Sequence, residues 1–555
     1  MSPAHPTQSV IAEPRLKALA RTVFVALGFT TIFLLWLIRP AVDPTQQALY
    51  HWSGNVADFF VPIAIDFLGT LLVLILLLWA LRSPGRGRVL LWSALLFFIP
   101  WFALTNLEII GLANDHELGR ILFLSAFLAA ILLTIRWRPA FANRFESVVT
   151  WATTVLIFVG IFGAFLLCRL AWYGRQASLL QTQFPLLHAQ IEFPPKPNRI
   201  IWIILDELSY QQTYERRYPG LQLPAFDAFA NDATSFTDAI PPAIYTQTVL
   251  PGLLEGKPFD QIHTSSLARL SVHDPSTGSW QPFDPYNTVF SDAFDARYNT
   301  AIAGWFNPYC RLLSPIVNRC FWTYRPVDYA FGIVPSGTIL SNALAPIQMM
   351  ITRMTKVGPF RIQSPLLHLL HIPLEKPTRT LLQTEDYQAL DVASLKLLRN
   401  SSAGFVLLHL PVPHPWGIYN RHTGKFTTAS SSYINNLALA DKCLAGIRKT
   451  LEDTGQWNSS TVLVMGDHSW RTKQLWRLSK VSYAWSQEDE DASHGGQYDP
   501  RPAYLVKLPN QTTPALINAP YRTFRTRQLF DKIMAHQITT PADLVNWVRS
   551  LPAAH

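Results

Sequence analysis

Asp206-Glu207, His409 with His414, and Asp467-His468 are the residues of this chain best suited to chemistry. Carboxylates and imidazoles in such a set are the ligand types that hold Zn²⁺ or Mn²⁺. Each group closely follows a short apolar run: Ile200–Leu205, Gly404–Leu408 and Ser460–Met465. Runs of that kind read as strands buried on both faces. In open α/β sheets, ligands bind just beyond the carboxyl ends of the strands. Three separate stretches of chain are therefore expected to deliver these side chains to one rim.

A nucleophile candidate lies in Tyr245-Thr246-Gln247-Thr248, ahead of an apolar stretch that reads as a helix. A hydroxyl there meets the positive end of the helix dipole and free backbone N–H groups, a setting suited to a phosphoryl oxyanion. Metal coordination lowers a hydroxyl pKa and makes it nucleophilic. The alternative is that Thr246 only caps the helix. His494, in Ser493-His494-Gly495-Gly496, precedes another strand-like run, Tyr504–Leu508. It is a candidate to bind a substrate phosphate or to protonate a leaving group. Singly these signals are weak; their joint occurrence at strand ends carries the weight.

The elements that must position them are a mostly parallel sheet with helices on both faces. Between the second and third strands, Ser432–Thr454 has helical periodicity, with Leu437, Leu444, Ile447 and Leu451 on one face. The stretch from about Asp260 to Gln383 gives no strand order.

Ahead of this domain the chain is different. Five apolar runs, near Leu19–Ile38, Phe59–Leu81, Val89–Ile110, Ile121–Ile135 and Val148–Trp172, suit bilayer-spanning helices. Basic residues cluster in alternate loops: Arg15, Lys17 and Arg21, then Arg82, Arg86 and Arg88, then Arg136, Arg138 and Arg144. That alternation puts the N-terminus inside and, after five crossings, the C-terminal domain outside. Asp66 and Glu108 fall within or beside these runs toward the outer face; each is a functional candidate or a side chain that snorkels or pairs. The expected division is residues 1–172 in the membrane, 173–197 as a linker ended by Pro194-Pro195-Lys196-Pro197, and 198–555 as the catalytic domain.

The chain has 555 residues, is 49% hydrophobic and carries a formal charge of +9. Many basic residues orient membrane segments, and no basic stripe with interleaved aromatics is present, which excludes nucleic acid as the expected partner. Cys310 and Cys320 are close in sequence and placed outside the cytoplasm, where a local disulfide is favoured over two buried thiols.

The order of motifs resembles the alkaline phosphatase superfamily, in its sulfatase-like branch, from about Arg199 to Pro509. Ile203–Glu207 looks like that family's first metal-binding strand end. Thr246 with Pro251 and Leu253–Gly256 is similar to its nucleophile helix. His409–Pro415 looks like its His-rich substrate loop, Gly466-Asp467-His468 like its Asp-His metal pair, and His494-Gly495 like its last histidine. Apolar spans before such a domain look like lipoteichoic acid synthase and the phosphoethanolamine transferases.

That resemblance implies one or two divalent ions, Zn or Mn, held by Asp206 or Glu207 with Thr246, Asp467 and His468. It implies His409, His414 and His494 on the substrate. The implied activity is transfer of a phospho-headgroup, phosphoethanolamine- or phosphoglycerol-like, from a membrane phospholipid to an envelope glycan or lipid, at the outer side of a bacterial inner membrane. A sulfatase-like hydrolase and a catalytically inactive member are the alternatives. The chain departs from the pattern at Ser469, where the family has glycine. The Cys/Ser-x-Pro-x-Arg motif of sulfatases is absent at Thr246, which argues for phosphorus over sulfur.

Overall fold

The computed structural model describes residues 15–42, 49–109, 141–181, 186, 191–265, 269–325, 332–357, 379–478 and 485–552. The apolar N-terminal runs become helices, which satisfy their own backbone groups where lipid offers none. These are α1 (Arg15–Val42), α2 (Ala57–Ala80), α3 (Arg86–Ile109) and α4 (Phe141–Gln181). α1 and α4 cross with their backbones in contact. A Cβ on Gly28 would lie 2.2 Å from the Leu156 carbonyl oxygen, and one on Gly160 would lie 2.2 Å from that of Phe24. Small residues permit this close approach in lipid-embedded bundles.

Four of the five expected spans fall on described helices, α1 to α4. Among the described residues, three helices are long and apolar enough to cross a bilayer: α1 over Arg15–Arg39, α2, and α4 over Phe145–Gln181. α3 forms over the third run. The fourth run lies outside the described residues, as does the side chain of Glu108. Asp66 is buried on α2.

The segment between α1 and α2 is keyed into the C-terminal domain. The Arg311 guanidinium donates to the carbonyls of Leu49, Tyr50 and Trp52. Ser53 Oγ donates to Tyr324 O at 2.9 Å, and His51 Nδ1 lies 3.1 Å from Phe306 O. Tyr50 is packed into the domain's own apolar core.

That domain is built on an eight-stranded sheet. Its strands are β1 (Ile200–Leu205), β2 (Thr234–Phe236), β3 (Thr300–Trp305), β4 (Arg319–Thr323), β5 (Phe405–Leu410), β6 (Thr461–Met465), β7 (Tyr504–Lys507) and β8 (Ala515–Ile517). Their spatial order is β8-β2-β7-β6-β1-β5-β3-β4. β1 is central, parallel to β5 and β6, and apolar at every position. Ile200, Trp202 and Ile204 face one core layer, and Ile201, Ile203 and Leu205 face the other, as the alternation of a strand requires. β7 alone runs antiparallel to its neighbours, β6 and β2. The helices nearest the site and the membrane are α5 (Thr246–Glu255), α6 (Ile339–Val357), α7 (Arg379–Arg399) and α8 (Tyr433–Asp453).

Cys310 and Cys320 are bonded, tying the short helix Tyr309–Leu312 to β4. That helix carries both Arg311 and Tyr309, and the Tyr309 hydroxyl holds the buried His409. Closing a loop of this size contributes about 2–3 kcal/mol. Cys310→Ser with Cys320→Ser is therefore expected to lower Tm in thermal unfolding, with no effect of added reductant on the variant.

Candidate active site

The carboxyl ends of β1, β5 and β6 lie side by side, so Asp206, His409 and Asp467 emerge at one edge. α5 brings Thr246 to the same place. Tyr245 is the N-cap, with extended backbone and no side-chain capping bond, and Thr246 is the first helical residue. Its hydroxyl is therefore not used as a cap. Thr246 Oγ1 lies 3.4 and 3.5 Å from the two oxygens of Asp206 and 3.2 Å from His468 Nε2.

His468 Nδ1 lies 2.9 Å from the Ser469 carbonyl. A carbonyl only accepts, so Nδ1 carries the proton and Nε2 presents its lone pair to Thr246 and to Asp467 Oδ2, 3.3 Å away. Asp467 Oδ1 accepts from the Glu207 amide at 3.0 Å, while its buried Oδ2 has no hydrogen-bond partner among the described residues. Burial, with Asp467 and Glu207 nearby, pushes the Asp206 carboxyl well above its ordinary range. One ligand atom from each of Asp206, Asp467 and His468 falls within 4.8 Å of the others, all buried. Two carboxylates facing each other with an unpartnered oxygen and an oriented imidazole fit a divalent cation, which would relieve their repulsion.

Glu207, the other acid expected to bind metal, is paired with Arg471. Its backbone is left-handed (φ 66°). Its Oε2 accepts from the Arg471 amide at 2.8 Å, and Oε1 accepts from Arg471 Nε and Nη2 at 2.8 and 2.5 Å. Burial opposes the Arg471 cation, yet Glu207 and Asp206 outweigh it and hold the guanidinium above its ordinary range. A second group, Asp206 with Glu207 and His414, also converges within 4.8 Å. There the Glu207 oxygens are already taken by Arg471, so the first group is the better cation site.

The histidines separate. His414 lines the cavity, between Trp305 and Trp416. Its Nδ1 lies 2.8 Å from Pro415 O and its Nε2 3.4 Å from Arg471 Nη2. Burial first, then Arg471, holds its pKa well below the usual imidazole value. With Nδ1 on a carbonyl, His414 presents Nε2 to the cavity side as an acceptor facing Arg471. His409 is fully buried behind Asp206, with Nδ1 2.9 Å from Tyr309 Oη and Nε2 3.8 Å from Asp206 Oδ2. Burial pushes its pKa down to about 4. It does not line the cavity, and its Nε2 has no hydrogen-bond partner among the described residues. His494 is exposed at a left-handed position (φ 50°) and is not among the residues lining the cavity. The strand after it runs antiparallel to β6 and pairs its first residue, Tyr504, with Met465, so the His494 loop ends at the same rim, where Thr472 Oγ1 donates to Gly496 O at 2.6 Å.

The cavity holds about 220 Å³ and is lined by Asp206, Tyr245, Thr246, Gln247, Trp305, Phe306, Tyr324, Arg379, His414, Arg471 and Trp476. Most of this wall was not legible in the sequence. Trp305 is fixed by the buried Asp386 of α7, which accepts from its Nε1 at 3.1 Å. Arg379 sits 3.3 Å over the Trp416 ring, and Arg471 4.1 Å over that of Trp476. The one available signal was Arg471 itself, four residues beyond Asp467 on a loop leaving a strand end.

Glu255 closes α5 and contributes a pH dependence. Burial pushes its carboxyl up to about 7, and Oε1 has no hydrogen-bond partner among the described residues. A carboxyl raised in the folded state stabilises below its unfolded pKa, and that stability is lost as pH rises through about 7. Glu255→Gln is expected to be near neutral at pH 5 and stabilising by up to about 3 kcal/mol at pH 8.5, read as a difference in Tm.

A model of the family described as Sulfatase matches residues 198–546. No curated protein matches the chain. Among solved structures, that of Ps i-CgsB with k-i-k-neocarrahexaose is 15% identical, covering 63% of this chain and 74% of its own, with a TM-score of 0.38. The phosphonate monoester hydrolase of Agrobacterium radiobacter is 12% identical, covering 61% and 74%, with a TM-score of 0.36. The lipoteichoic acid synthase LtaP from Listeria monocytogenes is 12% identical, covering 61% and 72%, with a TM-score of 0.35. With the family match spanning the whole sheet and its rim, the chain belongs to the sulfatase family, in the sulfatase-like branch of the alkaline phosphatase superfamily, whose enzymes act on phosphate or sulfate esters.

Proposed function

We propose that the chain is a membrane-bound phosphotransferase that moves a phospho-headgroup from a membrane phospholipid to an envelope glycan or lipid through Thr246. The observation that carries this reading is the placement of Thr246 Oγ1, at the start of α5, 3.2 Å from His468 Nε2 and 3.4 Å from Asp206 in a buried acidic cluster at the cavity. A threonine there can form a phosphoester, and it cannot become the formylglycine that sulfate hydrolysis uses.

A Zn or Mn ion held by Asp206, Thr246, Asp467 and His468 would supply Lewis acidity to the reacting oxygens. The protein's side chains do the rest. Thr246 Oγ1 forms a bond to phosphorus as the bond from phosphorus to the diacylglycerol oxygen breaks. Asp206, beside Oγ1, carries the threonine proton to that departing oxygen. Arg379 and Arg471 line the cavity, where guanidinium groups suit non-bridging phosphoryl oxygens. The acceptor hydroxyl then attacks phosphorus, the Oγ1–P bond breaks, and the acceptor's proton returns to Thr246. A lipid donor explains why the domain is joined to a bundle of apolar helices, and an envelope acceptor places it at the outer face of a bacterial inner membrane.

The test is intact and peptide mass spectrometry of the full-length protein after incubation with mixed phospholipids. A headgroup-phosphate adduct on Thr246, with diacylglycerol released, is expected. Inorganic sulfate released from sulfate esters, with Thr246 unmodified under all lipids, would overturn the reading in favour of a hydrolase.

A further inference from the structure

We propose that α6 lies in the plane of the outer membrane surface, with Leu340, Leu344 and Ile347 in the acyl-chain boundary. These residues are spaced i, i+4, i+7 and so share one face of the helix. They are 70%, 43% and 43% exposed. Three large aliphatic side chains on consecutive turns make a continuous apolar stripe, which a water-facing helix does not keep.

The opposite face of α6 shows what stands beside the stripe. Met349 packs in the same apolar cluster as Phe59, Phe60 and Ile63 of α2. Asn342 Nδ2 donates to the carbonyl of Asp58, in the first turn of α2, at 3.1 Å. α6 is thus fastened at the end of a helix that is long and apolar enough to span. Just beyond that turn, α2 exposes Val61, Ile65, Leu68 and Leu72. With α6 packed against α2 at that end, lipid is the occupant that fits its exposed stripe.

The placement also orients the cavity. Phe306 and Tyr324 line it, and both hold the segment joining α1 to α2 through His51 and Ser53. The cavity therefore sits at the level of α6, next to the membrane surface. This inference rests on α2 spanning the bilayer and is independent of the chemistry at Thr246.

The test uses full-length protein in lipid nanodiscs, with the exposed free thiol removed by Cys168→Ser. Single variants Leu344→Cys and Leu340→Cys carry a polarity-sensitive fluorophore. Ser341→Cys, on the helix flank, and Leu72→Cys, on α2, serve as water and lipid references. Brominated phospholipids are expected to quench the labels at 344 and 340 about twofold more than at 341, approaching position 72. Quenching at 344 and 340 by aqueous iodide, as at 341, would overturn the proposal. So would protection from both quenchers, which would mean that protein covers the stripe. Loss of lipid quenching at position 72 would overturn the spanning assignment and the proposal together, whereas a missing Thr246 adduct leaves all four readings unchanged.

Discussion

Thr246→Ala is expected to lower turnover by about three orders of magnitude or more while leaving the domain folded. The side chain is buried, but what alanine removes is one hydroxyl and one methyl at the first residue of a helix that does not use it as a cap. The bond-forming atom is lost, and among the described residues no other hydroxyl is placed between Asp206 and His468 in its stead. Thr246→Ser keeps the oxygen and is expected to retain measurable activity and the covalent adduct. If the alanine variant keeps full activity with an unchanged melting curve, the nucleophile is elsewhere or the reaction is direct.

Arg471→Ala carries the second large effect, and it falls on stability as well as activity. Arg471 gives three hydrogen bonds to Glu207, one from its amide and two from its guanidinium. Glu207 is fully buried, so truncating the guanidinium leaves a carboxylate with no counter-charge. Breaking a buried pair from one side costs about 3–5 kcal/mol. Chemical denaturation should show that loss. The companion change Glu207→Gln in the Arg471→Ala background is expected to recover part of it, because the stranded charge is gone. Activity should not return in the double variant, since the guanidinium beside His414 is still missing from the cavity wall. Recovery of activity together with stability would mean that Arg471 only holds the fold.

The sheet was legible where burial is complete. β1, β5 and β6 are each apolar at nearly every position, which only a strand covered on both faces tolerates. The rim was legible for the same reason, since polar side chains directly after such strands must lie at the sheet's edge. Of the outermost strands, β4 carries mixed residues and β8 is only three residues long, so neither gave such a signal.

At the site, Asp206 and Glu207 looked interchangeable as neighbouring acids. Their partners separate them, Arg471 on Glu207 and Thr246 on Asp206, and both partners come from distant segments. His409 and His414 shared one His-rich stretch, yet the first ends a central strand and the second lies beyond it. The first is therefore enclosed beside Tyr309, and the second lines the cavity. His494 followed the resemblance but stands exposed. The aromatic wall was out of reach because Trp305, Tyr324 and Trp476 come from three distant segments, each brought in by tertiary packing. In the bundle, the apolar runs marked all four described helices.

The most direct measurement is anomalous X-ray scattering from crystals of the purified protein grown with Zn²⁺ or Mn²⁺. A single peak at about 2.0–2.3 Å from Asp206, Asp467 and His468, with Thr246 Oγ1 at the same ion, is the predicted result. An ion bound elsewhere, or these four side chains found without a cation at saturating metal, would contradict the account.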